Sequence, residues 1–337
     1  MIDLNQVWAR LDALAKPRRS LGKLEELAAR LALIQQTLMP IVRPRRLALF
    51  AADHGVVARG VSAWPSEVTG LMVGTILAGR ASSSALAAAQ ACSLRLIDVG
   101  TVSPSPGSPP EFFRDARVAS GTGDLSVGAA MTASQFEAAW DVGADEARRA
   151  VADGNVVLIA GEMGIGNTTA AACLTVLLAD ATVDGAVGRG AGADDATLEV
   201  KRAVVADAVE RAARSHDVRE AIAGISGFEI VAMAGFFAEG ARRGATLLLD
   251  GYVATSAALI AERLRPGTVN NMIAAHLSPE PGHRAALSRL ALDPLLDWNL
   301  RLGEGAGALI ALPMLDSAAA LLRDVAALSE LGVARED

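Results

Sequence analysis

The sequence is poor in cysteine and in aromatic side chains. Only 2 of its 337 residues are cysteine and 4% are aromatic, although 52% are hydrophobic. The two thiols, Cys92 and Cys173, can form neither a disulfide framework nor a thiolate metal site. Much of the apolar content is alanine, which favours closely packed helices. This composition predicts a helix-rich globular protein without a metal.

The sequence also lacks an excess of positive charge and any long apolar run. Its formal net charge is -7 and its pI is about 5.3, whereas nucleic-acid binding draws on clustered lysine and arginine. It contains no uninterrupted run of ~18 apolar residues and no basic-then-apolar leader. We therefore expect a cytoplasmic protein that binds a small ligand and neither nucleic acid nor a membrane.

Four short apolar segments have the length and composition of buried strands, and each is followed by glycine or polar residues. They are residues 47–51, 94–97, 156–160 and 246–249. Helical patterns lie between and beyond them, at residues 81–91, 133–152, 168–179 and 254–263. This alternation predicts an α/β fold, in which a parallel sheet of Rossmann-like connectivity is flanked by helices.

Amphipathic helical patterns occupy both ends of the sequence. One reaches to about residue 39, and the other begins near residue 295. We expect the two segments to pack together as a small helical lobe, formed by residues 1–39 and 295–337. Residues 40–294 would then form a large α/β domain.

The most informative motif is the glycine-rich stretch at residues 161–169, which directly follows the third predicted strand. A strand that leads through such a turn into a helix presents unpaired N–H groups, which favour an anion. Glu162 is unexpected there, because a carboxylate beside an anion site costs Coulomb energy unless it has a chemical role. A P-loop is excluded, since no Lys-Ser or Lys-Thr ends the motif.

Two further glycine clusters occur, at residues 185–192 and 301–308. The first is followed by Lys201, but no strand directly precedes it, so from the spacing alone a plain connecting loop is the stronger interpretation. The second contains Glu304, which could instead cap a helix that begins near residue 308. Polar residues that follow predicted strands, such as Asp53 and Asp250, are expected to line a ligand crevice or to serve as local caps.

Together these motifs resemble those of the nicotinate-nucleotide:dimethylbenzimidazole phosphoribosyltransferase family. The resemblance runs nearly from end to end. The matching segments are residues 16–22, 52–56, 60–62, 67–69, 121–124, 161–169, 188–190, 227–230, 249–251, 276–280 and 301–305. So many ordered matches make a chance resemblance untenable.

The resemblance implies a specific reaction. Phosphoribose passes from nicotinate mononucleotide to a ring nitrogen of an aromatic base, 5,6-dimethylbenzimidazole, giving α-ribazole 5'-phosphate and nicotinate for the nucleotide loop of cobalamin. The leaving pyridine departs neutral and needs no acid, whereas the incoming azole must lose a proton that a carboxylate can accept. The resemblance also implies two small-molecule substrates, a homodimer and no cofactor.

The resemblance assigns roles to individual residues. Glu304 is the expected catalytic base, and Glu162 is expected near the reacting carbon. The expected nucleotide and phosphate site comprises Gly161, Gly164, Gly166, Asn167, Thr168, Gly188, Arg189, Gly190, Lys201, Asp250 and Gly251. The expected base site comprises Ser62, Trp64, Ser66, Leu71, Met163, Leu302 and Gly303.

The chain departs from the family pattern close to the expected base site. Ser66 and Leu71 stand where glutamines are common, and residues 79–84 read Gly-Arg-Ala-Ser-Ser-Ser where Gly-Gly-Ala-Ala-Ile-Asn is usual. Loss of an amide beside a flat heterocycle changes which ring edge can be hydrogen-bonded. The acceptor therefore stays open among dimethylbenzimidazole, another benzimidazole, adenine and a phenol, and a non-catalytic nucleotide sensor is a further alternative.

Overall fold

Six parallel strands form one sheet in the part of the chain that the structure describes. The structure is a computed structural model, and it describes residues 1–104 and 107–332. The strands are β1 (Arg45–Ala52), β2 (Ser93–Gly100), β3 (Phe113–Asp115), β4 (Val157–Met163), β5 (Thr246–Leu249) and β6 (Met272–Ala274). They pair in the order β3-β2-β1-β4-β5-β6, which is the order of doubly wound dinucleotide-binding sheets. The predicted α/β class and Rossmann-like connectivity are therefore confirmed.

Helices connect the strands and cover both faces of the sheet. They are α1 (Leu4–Asp12), α2 (Lys23–Gln35), α3 (Glu67–Leu77), α4 (Ser82–Ala89), α5 (Ala133–Ala152), α6 (Asn167–Ala179), α7 (Val183–Ala186), α8 (Asp195–Ala212), α9 (Val218–Ile225), α10 (Phe228–Arg242), α11 (Tyr252–Leu264), α12 (Pro281–Arg289) and α13 (Ala306–Asp324). The helix predicted at residues 133–152 matches α5, and those predicted at 81–91, 168–179 and 254–263 match α4, α6 and α11 to within two residues at each end.

Alternate residues of the strands face opposite layers of helices. Phe50 of β1 and Leu158 of β4 are buried with side chains of α5, α6, α10 and α11. Their neighbours Leu47 and Ile159 are buried on the other face, with side chains of α1, α2 and α13. This alternation follows from the period of two in a strand, so the sheet separates two apolar layers.

The helices from the two ends of the chain pack together directly on the sheet. Leu31 of α2 and Leu312 of α13 belong to the same buried cluster as Leu47 of β1. The division of the chain into a terminal lobe and a central domain stays a prediction. Residues 333–337 of the predicted lobe lie outside the described residues.

The structure differs from the sequence prediction at several boundaries. Strands β3 and β6 were not predicted, because three residues are too few to show a period. Strand β4 continues through residues 161–163, which pair with residues 49–51 of β1, so only residues 164–166 form the turn. The last long helix begins at Ala306 and not near residue 295.

Two helical stretches of the described residues are long and apolar enough to cross a membrane by length and composition alone. They are Glu67–Ala89 and Ala306–Asp324. The first contains the two short helices α3 and α4, and the second is α13, whose side chains Leu309, Leu312 and Leu315 are fully buried beneath the sheet. Packing against the sheet therefore accounts for the apolar character of α13.

Helices α5 and α10 approach each other so closely that glycine is required at their crossing. A Cβ atom on Gly143 would lie 1.7 Å from the carbonyl oxygen of Ala232, and one on Gly235 would lie 2.2 Å from that of Trp140. Both contacts are with backbone atoms, which cannot turn aside as a flexible side chain can. We therefore expect Gly143→Ala to push the helices apart and to lower the free energy of unfolding by about 1–3 kcal/mol or more.

Urea unfolding followed by circular dichroism would measure this effect. The matched control is Gly224→Ala in α9, where a Cβ atom would meet nothing within 4 Å. That substitution should stabilise the protein by roughly 0.5–1 kcal/mol, because alanine favours a helix over glycine. Equal unfolding midpoints for Gly143→Ala and the parent protein would contradict the close crossing.

Candidate active site

A cavity of about 530 Å³ lies at the carboxyl end of the sheet. It is next to the boundary between β1 and β4, where the chain connections turn from one half of the sheet to the other and where ligands of such sheets bind. Its lining comprises residues 61–64, Val68, Met72, residues 162–168, 189–191, 250–254, His276, Ser278, Glu280 and residues 300–304. Three of the glycine clusters found in the sequence therefore meet at one place.

The turn from β4 to α6 opens the start of a helix toward this cavity. Gly166 is the N-cap of α6 and has a φ of 96°, a conformation that favours glycine, and no side chain caps the helix. Gly164 packs against the end of β1, because a Cβ atom there would lie 2.5 Å from the carbonyl oxygen of Ala52. Such an uncapped first turn can bind an anion through its N–H groups and through the helix dipole.

A second turn carries Glu304, and its backbone is left-handed at three consecutive residues. The φ angles are 88° at Gly303, 59° at Glu304 and 76° at Gly305. Glycine adopts this conformation freely, whereas a glutamate in it is uncommon and must be held by its surroundings. Of these three residues, only Glu304 therefore has a backbone conformation that its residue type disfavours.

Asp250, which follows β5, holds the Glu304 turn in place. One carboxylate oxygen accepts the N–H of Gly305 at 3.1 Å, and the other accepts the N–H of Ala308 at 3.1 Å. Asp250 is therefore the side chain that binds the first turn of α13, and the alternative that Glu304 caps this helix is wrong. Asp250 therefore contributes to the site in two ways: it positions the Glu304 turn, and it lines the cavity itself.

The two glutamates expected at the site lie against each other's backbone. A Cβ atom on Gly303 would lie 2.3 Å from Oε1 of Glu162, and one on Gly161 would lie 2.6 Å from the carbonyl carbon of Glu304. The N–H of Glu304 donates to the carbonyl oxygen of Glu162 at 3.3 Å. Both side chains are buried, with 9% of Glu162 and 3% of Glu304 exposed, and both residues line the cavity, where their charges repel each other.

The charges around Glu162 disfavour its ionised form. Burial raises its pKa well above the ordinary value, and repulsion from Glu229, Asp250 and Glu304 raises it further. The side-chain amide of Asn167 donates to Oε2 of Glu162 and acts in the opposite direction, but more weakly. Glu162 therefore retains its proton at a higher pH than an ordinary glutamate does.

Beneath the β4 turn lies a buried pair that the sequence did not predict. Nε2 of His54 lies 2.6 Å from Oε1 of Glu229, and both side chains are fully buried. Burial would lower the pKa of His54, but attraction to Glu229 and the hydrogen bond between them outweigh it and raise that pKa. His54 thus pairs with Glu229 and not with its sequence neighbour Asp53, whose carboxylate accepts the N–H of Val102 at 2.9 Å.

Lys201 lies behind the cavity wall, where it joins two of the glycine-rich segments. Its Nζ donates to Oγ1 of Thr168 at 2.8 Å and to the carbonyl oxygen of Gly188 at 2.9 Å. Burial lowers the pKa of Lys201 to about 8, while Glu280 acts to raise it. Glu280 in turn accepts the N–H of Gly190 at 2.9 Å. The loop that contains Gly188 and Gly190 is therefore bound by Lys201 and by Glu280.

Most of the residues predicted for the site line the cavity. Among the expected base-binding residues these are Ser62, Trp64, Met163, Leu302 and Gly303. Among the others they are Glu162, Gly164, Gly166, Asn167, Thr168, Arg189, Gly190, Asp250, Gly251 and Glu304. Gly161, Gly188 and Lys201 lie directly behind this wall and contact residues that form it.

Ser66 and Leu71 do not line the cavity. Ser66 is the residue before α3, and Leu71 points to the outside, with 69% of it exposed. Val68 and Met72 of the same helix contribute to the wall instead. The spacing of four residues places Val68 and Met72 on one helical face, from which Leu71 is turned away.

Glu229 and Glu280 were not predicted as site residues from the sequence, and Ser83 was noted only as part of the segment 79–84 that departs from the family pattern. Each contacts a residue far away in the sequence, so no local pattern reveals the contact. Glu229 and Glu280 do fall inside segments that carry the family resemblance, which is the one available signal. In residues 1–104 and 107–332, no group of three or more histidine, cysteine, aspartate or glutamate side chains is arranged to hold a metal ion.

Comparison with known proteins identifies close relatives over nearly the whole chain. A family model described as phosphoribosyltransferase matches residues 4–333. The nicotinate-nucleotide–dimethylbenzimidazole phosphoribosyltransferase of Thermus thermophilus is 45% identical over 330 residues, which are 98% of each chain. The enzyme of that name from Variovorax paradoxus is 41% identical over 327 residues, covering 97% of this chain and 92% of the relative. A crystal structure of CobT from Thermus thermophilus superimposes with a TM-score of 0.95 at 44% identity, covering 99% of each chain.

The raised pKa of Glu162 predicts a stability difference that depends on pH. Native Glu162 holds its proton above pH 4.5, its ordinary pKa, while the unfolded chain releases it, so this residue's contribution to stability falls as pH rises. Glu162→Gln keeps a neutral side chain at every pH. We expect it to unfold at the same urea concentration as the parent at pH 4.5 or below, and to gain about 1.4 kcal/mol for each pH unit above, up to the native pKa.

Urea titrations at a series of pH values would measure this gain. Glu199→Gln is the control, because it makes the same substitution at an exposed position of α8. A gain for Glu162→Gln that does not vary with pH would contradict the raised pKa.

Proposed function

The chain belongs to the family of nicotinate-nucleotide:dimethylbenzimidazole phosphoribosyltransferases, and we propose that Glu304 is its catalytic base. The enzyme transfers phosphoribose from nicotinate mononucleotide to dimethylbenzimidazole in cobalamin biosynthesis. The glycosidic bond to the pyridinium nitrogen breaks, and its electron pair leaves with nicotinate. The attacking nitrogen of the benzimidazole forms the new bond, and the proton on the other ring nitrogen passes to a base.

One observation supports the assignment of the carboxyl groups. Glu162 and Glu304 both line a cavity whose wall includes the uncapped start of α6, and the N–H of Glu304 donates to the carbonyl oxygen of Glu162. A phosphate at the helix start leaves the ribose and the two rings near the glutamates. Glu304 is held by its backbone in one place, as a positioned base requires, and the cavity limits competition from water.

We assign Glu162 an electrostatic role at the anomeric carbon. Its pKa is raised in the absence of substrate, and a cationic pyridinium beside it favours its ionised form. The ionised carboxylate then stabilises positive charge that develops on the ribose as the glycosidic bond lengthens. Asn167 supports this state, because its amide donates to Oε2 of Glu162.

The proposed nucleotide site uses backbone N–H groups and positive charge together. The first turn of α6 provides the N–H groups, and Arg189 lies at the cavity wall, with its guanidinium bound to Asp195 and to the carbonyl oxygen of Ala193. The ammonium group of Lys201 donates a hydrogen bond to Thr168, so only the Thr168 side chain separates its charge from the proposed phosphate site. Such charge-assisted contacts are the usual means of holding a phosphate.

The proposed site for the acceptor base is largely apolar. Val61, Trp64, Val68 and Met72 form one part of the wall, and Leu302 lies in another. A dimethylated benzimidazole ring presents apolar edges to such a wall, whereas adenine presents an exocyclic amine that would need a polar partner. Because Ser66 and Leu71 lie outside the wall, the departures at these positions leave it apolar. Adenine is therefore a less favoured acceptor, and an unmethylated benzimidazole or a single-ring phenol would bury less apolar surface against this wall.

We also propose that the protein is a cytoplasmic homodimer. Three large apolar side chains near the cavity are exposed to solvent, Trp64 by 51%, Leu71 by 69% and Leu302 by 57%. A second copy of the chain that covers them would bury apolar surface and would narrow the mouth of the cavity. The cytoplasmic location rests on the composition of the sequence.

Glu304→Gln should retain the fold and the affinity for nicotinate mononucleotide but lose turnover. The amide cannot accept the proton, and a positioned base contributes about 10²- to 10⁴-fold to the rate. The measurement is kcat and KM for both substrates by chromatography of the products. Glu199→Gln on the exposed face of α8 is the control, and a Glu304→Gln variant as active as the parent would overturn the assignment of the base.

A competition among acceptors tests the proposed base site. The enzyme receives nicotinate mononucleotide with equal concentrations of dimethylbenzimidazole, benzimidazole, adenine and p-cresol, and the products are separated by chromatography with mass detection. We expect α-ribazole 5'-phosphate to dominate. Dominance of another product would show that the apolar wall does not select the base. Absence of every product, with nucleotide still bound, would favour the sensor alternative.

A further inference from the structure

The carboxylate of Glu304 is bound by one residue of α4. Oγ of Ser83 donates to Oε2 of Glu304 at 2.7 Å, and the N–H of Ser83 points to the same oxygen at 3.4 Å. Ser83 is fully buried and 3% of Glu304 is exposed, so water does not compete for this contact. The hydroxyl therefore has one clear partner, and that partner is the group proposed as the base.

The start of α4 has no cap of its own. Ala81 is its N-cap and offers no side-chain acceptor to the first N–H groups of the helix. Glu304 provides that acceptor from a distant turn, which favours its charged form through the positive end of the helix dipole. The neighbouring serines do not share in this, since Ser82 is exposed and the hydroxyl of Ser84 donates to the carbonyl oxygen of Ile76 at 3.5 Å.

We propose that Ser83 is a positioning residue for catalysis, which fixes Oε2 of Glu304 and leaves Oε1 to accept the proton of the acceptor base. This inference rests on the proposed role of Glu304. A hydrogen bond from a hydroxyl to a carboxylate orients the carboxylate and stabilises its ionised form, which is the form that can act as a base. Ser83 thus holds the carboxylate of Glu304 in one orientation.

Other charged groups face Glu304, and the test leaves all of them in place. Glu162 on β4 and Asp250 after β5 repel a negative charge at this position. His276 lies 3.5 Å from Asp250 and packs against Gly307 in the first turn of α13. Arg301 lies in the segment that leads into the Glu304 turn and lines the cavity. A change at Ser83 alters none of these charges, so a shift in the pH profile reports the lost hydroxyl.

The test compares Ser83→Ala with Ser82→Ala, which removes an exposed hydroxyl from the same helical turn. The full-length enzyme is assayed with nicotinate mononucleotide and dimethylbenzimidazole from about pH 5 to about pH 9. For Ser83→Ala we expect kcat to fall about 10- to 100-fold near neutral pH, with KM for the nucleotide unchanged. We also expect the acid limb of the kcat profile to move up by about one pH unit, so that the loss is up to about tenfold greater on the acid side of the limb than at high pH. Ser82→Ala should match the parent.

Several outcomes separate this inference from the proposed function. If Glu304→Gln is inactive while Ser83→Ala has the parent's kcat and pH profile, the inference fails and the base assignment stands. If Glu304→Gln is as active as the parent, the proposed function of Glu304 itself fails. A loss in Ser83→Ala that is equal at every pH and accompanied by a lower melting temperature indicates a purely structural role and overturns the inference. Ser83→Thr, which keeps the hydroxyl, should keep the acid limb of the parent.

Discussion

The carboxylate of Asp250 makes the contact on which the rest of the site depends. It stands at the end of β5 and binds the first N–H groups of α13, so the helix start is fixed to the edge of the sheet. The residue before this helix start is Gly305, and the one before that is Glu304. A left-handed glutamate would otherwise relax, and this attachment, together with the hydrogen bond from its N–H to the carbonyl oxygen of Glu162, holds it. One aspartate thus joins the central sheet, the last long helix and the proposed base.

The site concentrates negative charge beneath a turn that favours an anion. Glu162, Glu229, Asp250 and Glu304 are all buried near one another, and His54 and His276 are the imidazoles closest to two of them. This arrangement costs stability, as the raised pKa of Glu162 indicates. In the proposed binding mode, the phosphate of the nucleotide faces the helix start and its pyridinium nitrogen faces the carboxyl groups, so these two charges meet their opposites. The electrostatic cost of burying these carboxyl groups together and their attraction for a pyridinium nitrogen have the same origin.

The sequence predicted the parts of this protein that have a period or a motif. Long α5 and the strand at residues 246–249 have the predicted boundaries, since patterning alone specifies them. The glycine-rich turns and both glutamates of the cavity were also predicted, through their motifs. Strands β3 and β6 were missed because they are short, and β4 was cut at Gly161 because glycine usually ends a strand. Contacts between distant residues could not be predicted from the sequence. Ser83 and Glu304 are 221 residues apart, and only the folded chain brings them together.

The left-handed turn at residues 303–305 limits how this protein can vary. A side chain at Gly303 would meet Glu162, and one at Gly305 would lie 2.6 Å from Leu47 in the core, in addition to the strain of a positive φ. Evolution therefore has almost no freedom on this side of the cavity. The opposite wall differs, because Val68 and Met72 lie on a helix whose outer face is open to solvent. If this chain evolved to accept other ring systems, we would accordingly expect the substitutions in α3, while the glutamate turn stayed constant.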